Sequence, residues 1–166
     1  MSRRAVNTAI VATLLVVGVM AFRHYFSPGA VVTRKLVATI EAFEKERLLA
    51  VMAAVSRTYS DPWGLDYETL GGYLHETMET YDDLRVDYVL SKPEVGEGEV
   101  RIDIEFVLRG RYEGASEYVI GSASDPCTAT VLWREETPGW RTVSTPKLDI
   151  PELRDELESR AKNSQF

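Results

Sequence analysis

The stretch VRIDIEFVLRGRY, residues 100–112, constrains the fold more than any other part of the chain. Apolar and charged side chains alternate along it with the period of a β-strand. The apolar side chains that share one face are Val100, Ile102, Ile104, Phe106 and Leu108. The charged side chains on the other face are Arg101, Asp103, Glu105 and Arg109. A strand with one buried and one wet face predicts an antiparallel sheet that is covered on one side only.

Three further segments contribute to this predicted sheet. Residues 84–91 alternate in the same way, with Leu84, Val86, Tyr88 and Leu90 on one face. Residues 128–135 and 140–145 predict a hairpin around a Thr-Pro-Gly turn. Residues 113–126 are rich in glycine, serine and alanine around the short stretch EYVI, which predicts either an edge strand or a loop.

Helices are predicted before and after the strands. Apolar residues recur at helical spacing from Val32 to Tyr59, which predicts one long amphipathic helix of roughly 40 Å. Asp66 fits the N-cap of a second helix, with Leu65 and Leu70 placed as a hydrophobic staple. A third amphipathic helix is predicted after Asp149, with an apolar stripe formed by Ile150, Leu153, Leu157 and Ala161.

Residues 5–22 form a run of 18 uncharged and mostly apolar residues, near the lower limit for a membrane-spanning helix. Arg3 and Arg4 precede this run and favour a cytoplasmic N-terminus. We therefore expect a single-pass protein of the inner (cytoplasmic) membrane with its domain on the extracytoplasmic side. Basic residues also follow the run, so the reverse orientation stays open.

A cleaved signal peptide is the alternative for this segment, because Val19 and Ala21 are small residues in front of a conceivable cleavage site. The anchor is preferred because the apolar run is long for a signal core. The predicted organisation is an anchor and short linker over residues 1–30, a domain over residues 31–148, and a C-terminal amphipathic helix and tail over residues 149–166.

Charge and cysteine content exclude several classes of function. Residues 31–166 contain 16 basic and 26 acidic residues, a net charge of −10, which repels nucleic-acid phosphates. The single cysteine, Cys127, excludes an internal disulfide framework and any multi-cysteine metal site. Nucleic acid is therefore not an expected partner.

HETME, residues 75–79, is one substitution short of the helical zinc motif HExxH. On the second predicted helix, His75 and Glu79 lie opposite the apolar stripe, so both are predicted to face solvent. The only other histidine is His24, and zinc needs at least three protein ligands. No metal, cofactor or catalytic residue is predicted.

The order of these elements, two helices and then antiparallel strands ending in the hairpin ATVLWREETPGWRTVS, resembles the nuclear transport factor 2-like (cystatin-like) superfamily over residues 32–148. The resemblance implies an α+β fold in which a curved antiparallel sheet wraps around helices to form a cone with an apolar pocket. The superfamily includes isomerases, dehydratases and non-catalytic assembly domains, some of them anchored in bacterial inner membranes. The residues expected to line such a pocket are Tyr88, Val100, Ile102, Ile104, Phe106, Leu108 and Trp133.

An enzyme of this fold places an acid–base pair inside the cone, whereas the inward positions of the clearest strand are aliphatic or aromatic. Only Tyr88, Tyr112 and Cys127 bring polar atoms near a pocket, and each is more typical of plain core. We therefore predict a membrane-anchored, non-catalytic domain that binds protein partners or a second copy of itself. A binder of an apolar small molecule or lipid is the alternative, because a sequence does not separate a cavity from a filled core.

Overall fold

The computed structural model describes residues 25–150. Its helices and strands, in chain order, are α1 (Pro28–Glu44), α2 (Leu48–Ala53), α3 (Tyr67–Thr80), β1 (Asp82–Leu90), β2 (Glu94–Val95), β3 (Glu99–Tyr112), β4 (Ala115–Ile120), β5 (Cys127–Glu136) and β6 (Gly139–Asp149). The predicted α+β class is confirmed. The predicted membrane span at residues 5–22 and the body of the predicted C-terminal helix lie outside the described residues. Between residues 25 and 150, no helix is long and apolar enough to cross a bilayer.

The strands form one six-stranded antiparallel sheet in the order β1-β3-β5-β6, with β2 and β4 also paired to β3. The segment that the sequence left open between strand and loop is thus strand β4. Directly paired residues share a face of the sheet, as Val100 does with Trp133 and Leu108 with Val86. Register shifts in the β1–β3, β3–β4 and β5–β6 pairs mark irregularities of the bulge kind, which bend strands and curve the sheet.

The single long helix predicted from Val32 to Tyr59 is wrong. The backbone of Glu46 adopts a left-handed conformation, with φ of 54°, which separates α1 from α2. Such a conformation costs a residue with a side chain about 1–2 kcal/mol and is usually marked by glycine. Because glutamate stands there instead, the sequence carries no sign of the break. The break allows Met52 and Val55 to pack against α3.

Helix α1 packs on one face of the sheet and forms the main core with it. Ser27 caps the helix, since its hydroxyl accepts a hydrogen bond from the Ala30 amide at 3.3 Å, and Pro28 stands in the first turn. The buried residues of this core are Val32, Leu36, Val100, Ile102, Trp133 and Trp140. Burying each side chain of this size contributes about 1.5–3 kcal/mol, so this cluster is the main determinant of the fold.

A second core joins α2, α3 and the loop between them. Its buried residues are Met52, Val55, Tyr59 and Leu65. The predicted N-cap of α3 is confirmed: Asp66 Oδ1 accepts a hydrogen bond from the Thr69 amide at 2.8 Å, and this bond lowers the pKa of Asp66 below its usual value. Leu65 and Leu70, the predicted staple, both belong to this cluster.

Asp61 holds the loop between α2 and α3. Its side chain is buried, and Oδ1 accepts hydrogen bonds from the amides of Trp63 and Leu65, each at 2.9 Å. The Tyr59 hydroxyl donates to Asp61 Oδ2 at 3.2 Å and lies 3.0 Å from Thr145 Oγ1 on β6. Burial raises the pKa of Tyr59 well above its usual value, so the phenol stays protonated as a donor.

The helical layer also reaches both edges of the sheet. At β1, the Val86 amide donates to Glu44 Oε1 of α1 at 2.9 Å. At β6, the Thr142 amide donates to the Ala54 carbonyl at 2.9 Å, and the Ser56 amide donates to the Thr142 carbonyl at 2.8 Å. Backbone groups of the two edge strands that would otherwise face solvent are thus hydrogen-bonded by helices or their connecting loop.

Candidate functional site

The sheet face opposite the helices is the most distinctive surface of residues 25–150. In this part of the chain no helix packs on that face, because α1 packs on the other one. We call it the open face; it includes the side chains that alternate with the core positions of β1, β3, β5 and β6, namely Arg85, Asp87, Val89, Glu99, Arg101, Asp103, Glu105, Val107, Arg109, Thr128, Thr130, Leu132, Arg134, Lys147 and Asp149.

Grooves that are open to solvent run along this face. The first, of about 470 Å³, includes Val89, Glu105 and Val107 in its lining and is bordered by Tyr118 of β4. The second, of about 340 Å³, also contains Val89 and Glu105 and extends to Lys147 on β6. Because the two grooves share these residues, they form one depression from β4 to β6.

Several charged side chains of the open face make contacts across neighbouring strands. The Arg109 guanidinium lies 2.7 Å from Asp87 Oδ2, and the Thr130 hydroxyl donates to Asp103 Oδ1 at 2.6 Å. Five basic side chains lie among five acidic ones, namely Arg85, Arg101, Arg109, Arg134 and Lys147 among Asp87, Glu99, Asp103, Glu105 and Asp149. The face is therefore nearly neutral, although the whole chain carries a net charge of −7.

Apolar side chains interrupt this polar pattern. Val89 is 67% exposed on β1, and Tyr118 is 52% exposed at the border of the first groove. Val107 and Leu132 are further apolar side chains of this face on β3 and β5; Val107 is buried by its neighbours and Leu132 is half-buried. Sequence reasoning did not select these residues. Val89 and Val107 are nevertheless recognisable in the sequence, because each is a valine at a position of the strand alternation where most other residues are polar.

The residues predicted to line an inner pocket fall into two groups. Five of them are buried: Val100, Ile102, Ile104, Leu108 and Trp133. Of these, Val100, Ile102 and Trp133 are 0% exposed and belong to the core formed with α1. Phe106 is half-buried and Tyr88 is 37% exposed; the two are paired on the inner face, and both also border the first groove. The structure thus does not bring the seven residues together around one space.

The predicted solvent-facing position of His75 is confirmed. Its Nε2 lies 3.3 Å from Glu79 Oε1, and the two side chains are 59% and 69% exposed. Within residues 25–150, no three histidine, cysteine, aspartate or glutamate side chains are grouped so that they could hold a metal ion. Cys127 is buried where β5 begins.

We expect His75→Ala to change the free energy of unfolding by less than about 0.5 kcal/mol, because an exposed i, i+4 pair contributes little. Zinc is expected to leave the Tm of wild type and variant equally unchanged. Differential scanning fluorimetry with and without zinc measures both effects, with Glu76→Ala as an exposed neighbouring control. A zinc-dependent rise in Tm that His75→Ala removes would contradict the solvent-facing interpretation.

Comparison with known proteins bears on the fold. No protein-family model matches the chain, and no curated protein matches its sequence. Among solved structures, Aln2 from a Streptomyces species is similar with a TM-score of 0.56 at 12% identity, over 78% of this chain and 92% of Aln2. A Streptomyces avermitilis protein assigned as a dehydratase of the nuclear transport factor 2-like family has a TM-score of 0.56 at 11% identity, over 69% of this chain and 91% of its own.

A Thiobacillus denitrificans protein assigned as a calcium/calmodulin-dependent protein kinase type II association domain is similar as well. Its TM-score is 0.51 at 18% identity, over 72% of this chain and 91% of its own. Identities this low show a common fold and leave function to be argued from the site. The resemblance inferred from the order of helices and strands is confirmed, and the chain has the nuclear transport factor 2-like fold.

Proposed function

We propose that this chain is a non-catalytic assembly domain that binds a second copy of itself through the open face. The observation that carries the proposal is a nearly neutral sheet face, uncovered by any helix of residues 25–150, on which Val89 and Tyr118 are exposed. Interfaces bury an apolar centre inside a polar rim, and this face offers both.

Self-association is favoured by the distribution of charge. A twofold dimer needs a surface that is complementary to itself. On the open face, basic and acidic side chains are interspersed on the same strands, so a rotated copy can place Arg101 or Lys147 opposite Glu105. The net charge of −7 is carried by the rest of the chain, where two copies repel each other. The open face is therefore the surface on which a second copy meets least repulsion.

The composition of the inner sheet face supports a non-catalytic role. From Val86 to Leu90 of β1, from Val100 to Leu108 of β3 and from Cys127 to Trp133 of β5, the positions on that face are aliphatic or aromatic apart from Cys127 and the phenol of Tyr88. General acid–base catalysis needs a carboxylate, imidazole or similar group at the reacting atoms. The dehydratase-assigned relative is an example of an enzymatic assignment on this fold, but these inner positions offer no carboxylate or imidazole.

The proposed tether is the uncharged run at residues 5–22, with the domain on the extracytoplasmic side of the inner membrane. Confinement to a membrane raises the effective concentration of copies relative to one another. A shallow interface of modest affinity then suffices for assembly, which agrees with an open depression rather than a deep pocket.

Val89→Asp is expected to raise the dissociation constant of the dimer at least about tenfold, because like charges meet across an interface in which each substitution occurs twice. Sedimentation equilibrium of the full chain in detergent measures this, with Leu49→Asp, at a site 87% exposed on α2, as the matched control. If the chain does not self-associate at any accessible concentration, the proposal fails.

A second candidate function, binding of an apolar small molecule or lipid, is favoured by one observation. The indole N–H of the fully buried Trp133 has no hydrogen-bond acceptor among the described residues. An unpaired buried donor costs about 1–3 kcal/mol, and a ligand with a carbonyl or hydroxyl oxygen would remove that cost. Native mass spectrometry of the full chain tests this, because a reproducible extra mass of lipid or small-molecule size would support a carrier.

A further inference from the structure

We propose that strand β4 is a docking edge for an extended, basic segment of a partner protein, which adds to the sheet as a further strand. The contact uses backbone groups at the edge of the sheet and not the open face. It therefore does not depend on the proposed self-association.

Strand β4 is a third edge of the sheet, besides the two edges that the helical layer covers. In residues 25–150, β3 is the only strand with which β4 pairs. Strand β6 ends at Asp149, opposite Thr128 of β5, and does not pair with β4. The loop between β4 and β5 turns towards the open face, where Ala123 and Pro126 line the first groove. No described strand thus lies along the outer side of β4.

The turn before β4 determines which of its backbone groups face outwards. Glu113 and Gly114 both have left-handed backbones, with φ of 50° and 86°, as in the two-residue type I′ turn of a tight hairpin. The residues that flank such a turn, here Tyr112 and Ala115, form a hydrogen-bonded pair, and bonded and non-bonded pairs alternate from there. The second and fourth residues of β4 therefore turn their N–H and C=O groups away from β3.

These two residues are Ser116 and Tyr118. Both are exposed, and no other described residue is hydrogen-bonded to their outward backbone groups. An antiparallel strand could form a hydrogen-bonded pair with each of them, which is how extended peptides add to a sheet edge. Proteins commonly block such an edge with lysine or proline, and β4 contains neither.

The charge at this edge favours a basic partner. Glu117 lies between the two outward-facing residues, Glu113 stands in the preceding turn, and both are exposed. Neither forms an ion pair within residues 25–150, whereas Arg109 and Arg111 on the neighbouring strand are already paired with aspartates of β1. A lysine or arginine opposite Glu117 would form a cross-strand pair of opposite charges, at a non-bonded position where side chains approach most closely.

The other face of the added strand meets Tyr118. The Tyr118 side chain is 52% exposed and borders the first groove, so it offers an apolar surface to the residue opposite it. The segment that fits best therefore alternates basic and apolar side chains. A second copy of β4 fits less well, because the strand has no basic residue and a twofold pair would bring glutamates of both copies together.

The probe is a fluorescent heptapeptide of alternating lysine and valine, added to the full chain in non-ionic detergent and followed by fluorescence anisotropy. Ser116→Pro removes an outward amide donor and places a ring in the path of the added strand, so it should raise the Kd at least about tenfold. Ser116→Ala keeps the amide and should change the Kd less than about twofold. The same peptide with N-methylated amides keeps its charges but loses backbone donors, and should not bind.

Glu117→Lys tests the charge without altering the backbone. It should weaken binding of the lysine peptide and strengthen binding of a glutamate–valine peptide, each by at least about threefold. Far-ultraviolet circular dichroism and the Tm of every variant are compared with wild type, so that unfolding is not mistaken for loss of the edge.

Three results would overturn the proposal. The first is that wild type does not bind the lysine peptide even at millimolar concentration. The second is that Ser116→Pro, or N-methylation of the peptide, leaves the Kd unchanged, since binding would then be electrostatic and not edge pairing. The third is that Ser116→Pro reduces self-association of the chain but not peptide binding, because the occupant of the edge would then be a second copy.

Discussion

Trp133→Ala is expected to lower the free energy of unfolding by about 3–5 kcal/mol, which is the range for removing a buried tryptophan from a packed core. Trp133 is 0% exposed and packs with Val32, Leu36 and Trp140 between α1 and the sheet. Its own strand, β5, is paired on both sides, so the backbone cannot move in to close the cavity. For a domain with about 5–15 kcal/mol of stability, this loss leaves a substantial fraction unfolded.

Urea denaturation followed by far-ultraviolet circular dichroism measures this loss without relying on tryptophan fluorescence. Leu49→Ala is the matched control, since Leu49 is 87% exposed and its removal is expected to cost less than about 0.5 kcal/mol. A loss below about 1 kcal/mol for Trp133→Ala would mean that the core around α1 is loosely packed. In that case the carrier function would gain support over the assembly function.

Asp61→Ala is expected to lower the free energy of unfolding by about 3 kcal/mol, because it leaves two backbone amides without their acceptor and removes one of the two partners of a buried hydroxyl. These donors are the amides of Trp63 and Leu65 and the hydroxyl of Tyr59. The loss should be concentrated in the loop between α2 and α3, where hydrogen exchange of residues 59–66 should accelerate more than that of β3.

Asp61→Asn is the control for this second prediction. Its amide oxygen still accepts from the two backbone amides, and its NH₂ group can donate to the Tyr59 hydroxyl with a reversed hydrogen bond. We expect this variant to lose about 1 kcal/mol, because the charge-assisted part of the bonds is removed while their geometry is kept. Wild-type stability for Asp61→Ala would show that the loop is held by its apolar residues alone.

Strand positions could be predicted from the sequence because each strand has a clear local pattern. The alternation through Val100, Ile102 and Ile104 places β3 and its buried face correctly. The hairpin and the Asp66 cap depend on turn and capping residues, which also act locally. The break at Glu46 and the strand character of β4 could not be predicted, since one is a left-handed glutamate without a glycine signal and the other depends on pairing with β3.

The open face could be predicted only in outline. The wet side of β3 is evident from its charges, but the neighbourhood of Val89 and Val107 depends on the register between β1 and β3, which no local pattern specifies. Tyr88 illustrates the same limit from the other side of the sheet. Its position along β1 predicts burial, yet it is 37% exposed, because burial also requires helices or neighbouring residues to cover that part of the strand.

The contacts at the two sheet edges determine how copies of this chain can grow into larger structures. Unprotected edge strands recruit further strands from other molecules and extend without limit, as in amyloid fibrils. Here the Glu44 carboxylate accepts a hydrogen bond from the Val86 amide of β1, and the loop after α2 forms hydrogen bonds with backbone groups of β6. Edgewise polymerisation is obstructed at both ends of the sheet. The proposed contact through the open face would instead follow a twofold axis and be complete with two molecules, so the helices that form the core would also limit edgewise extension.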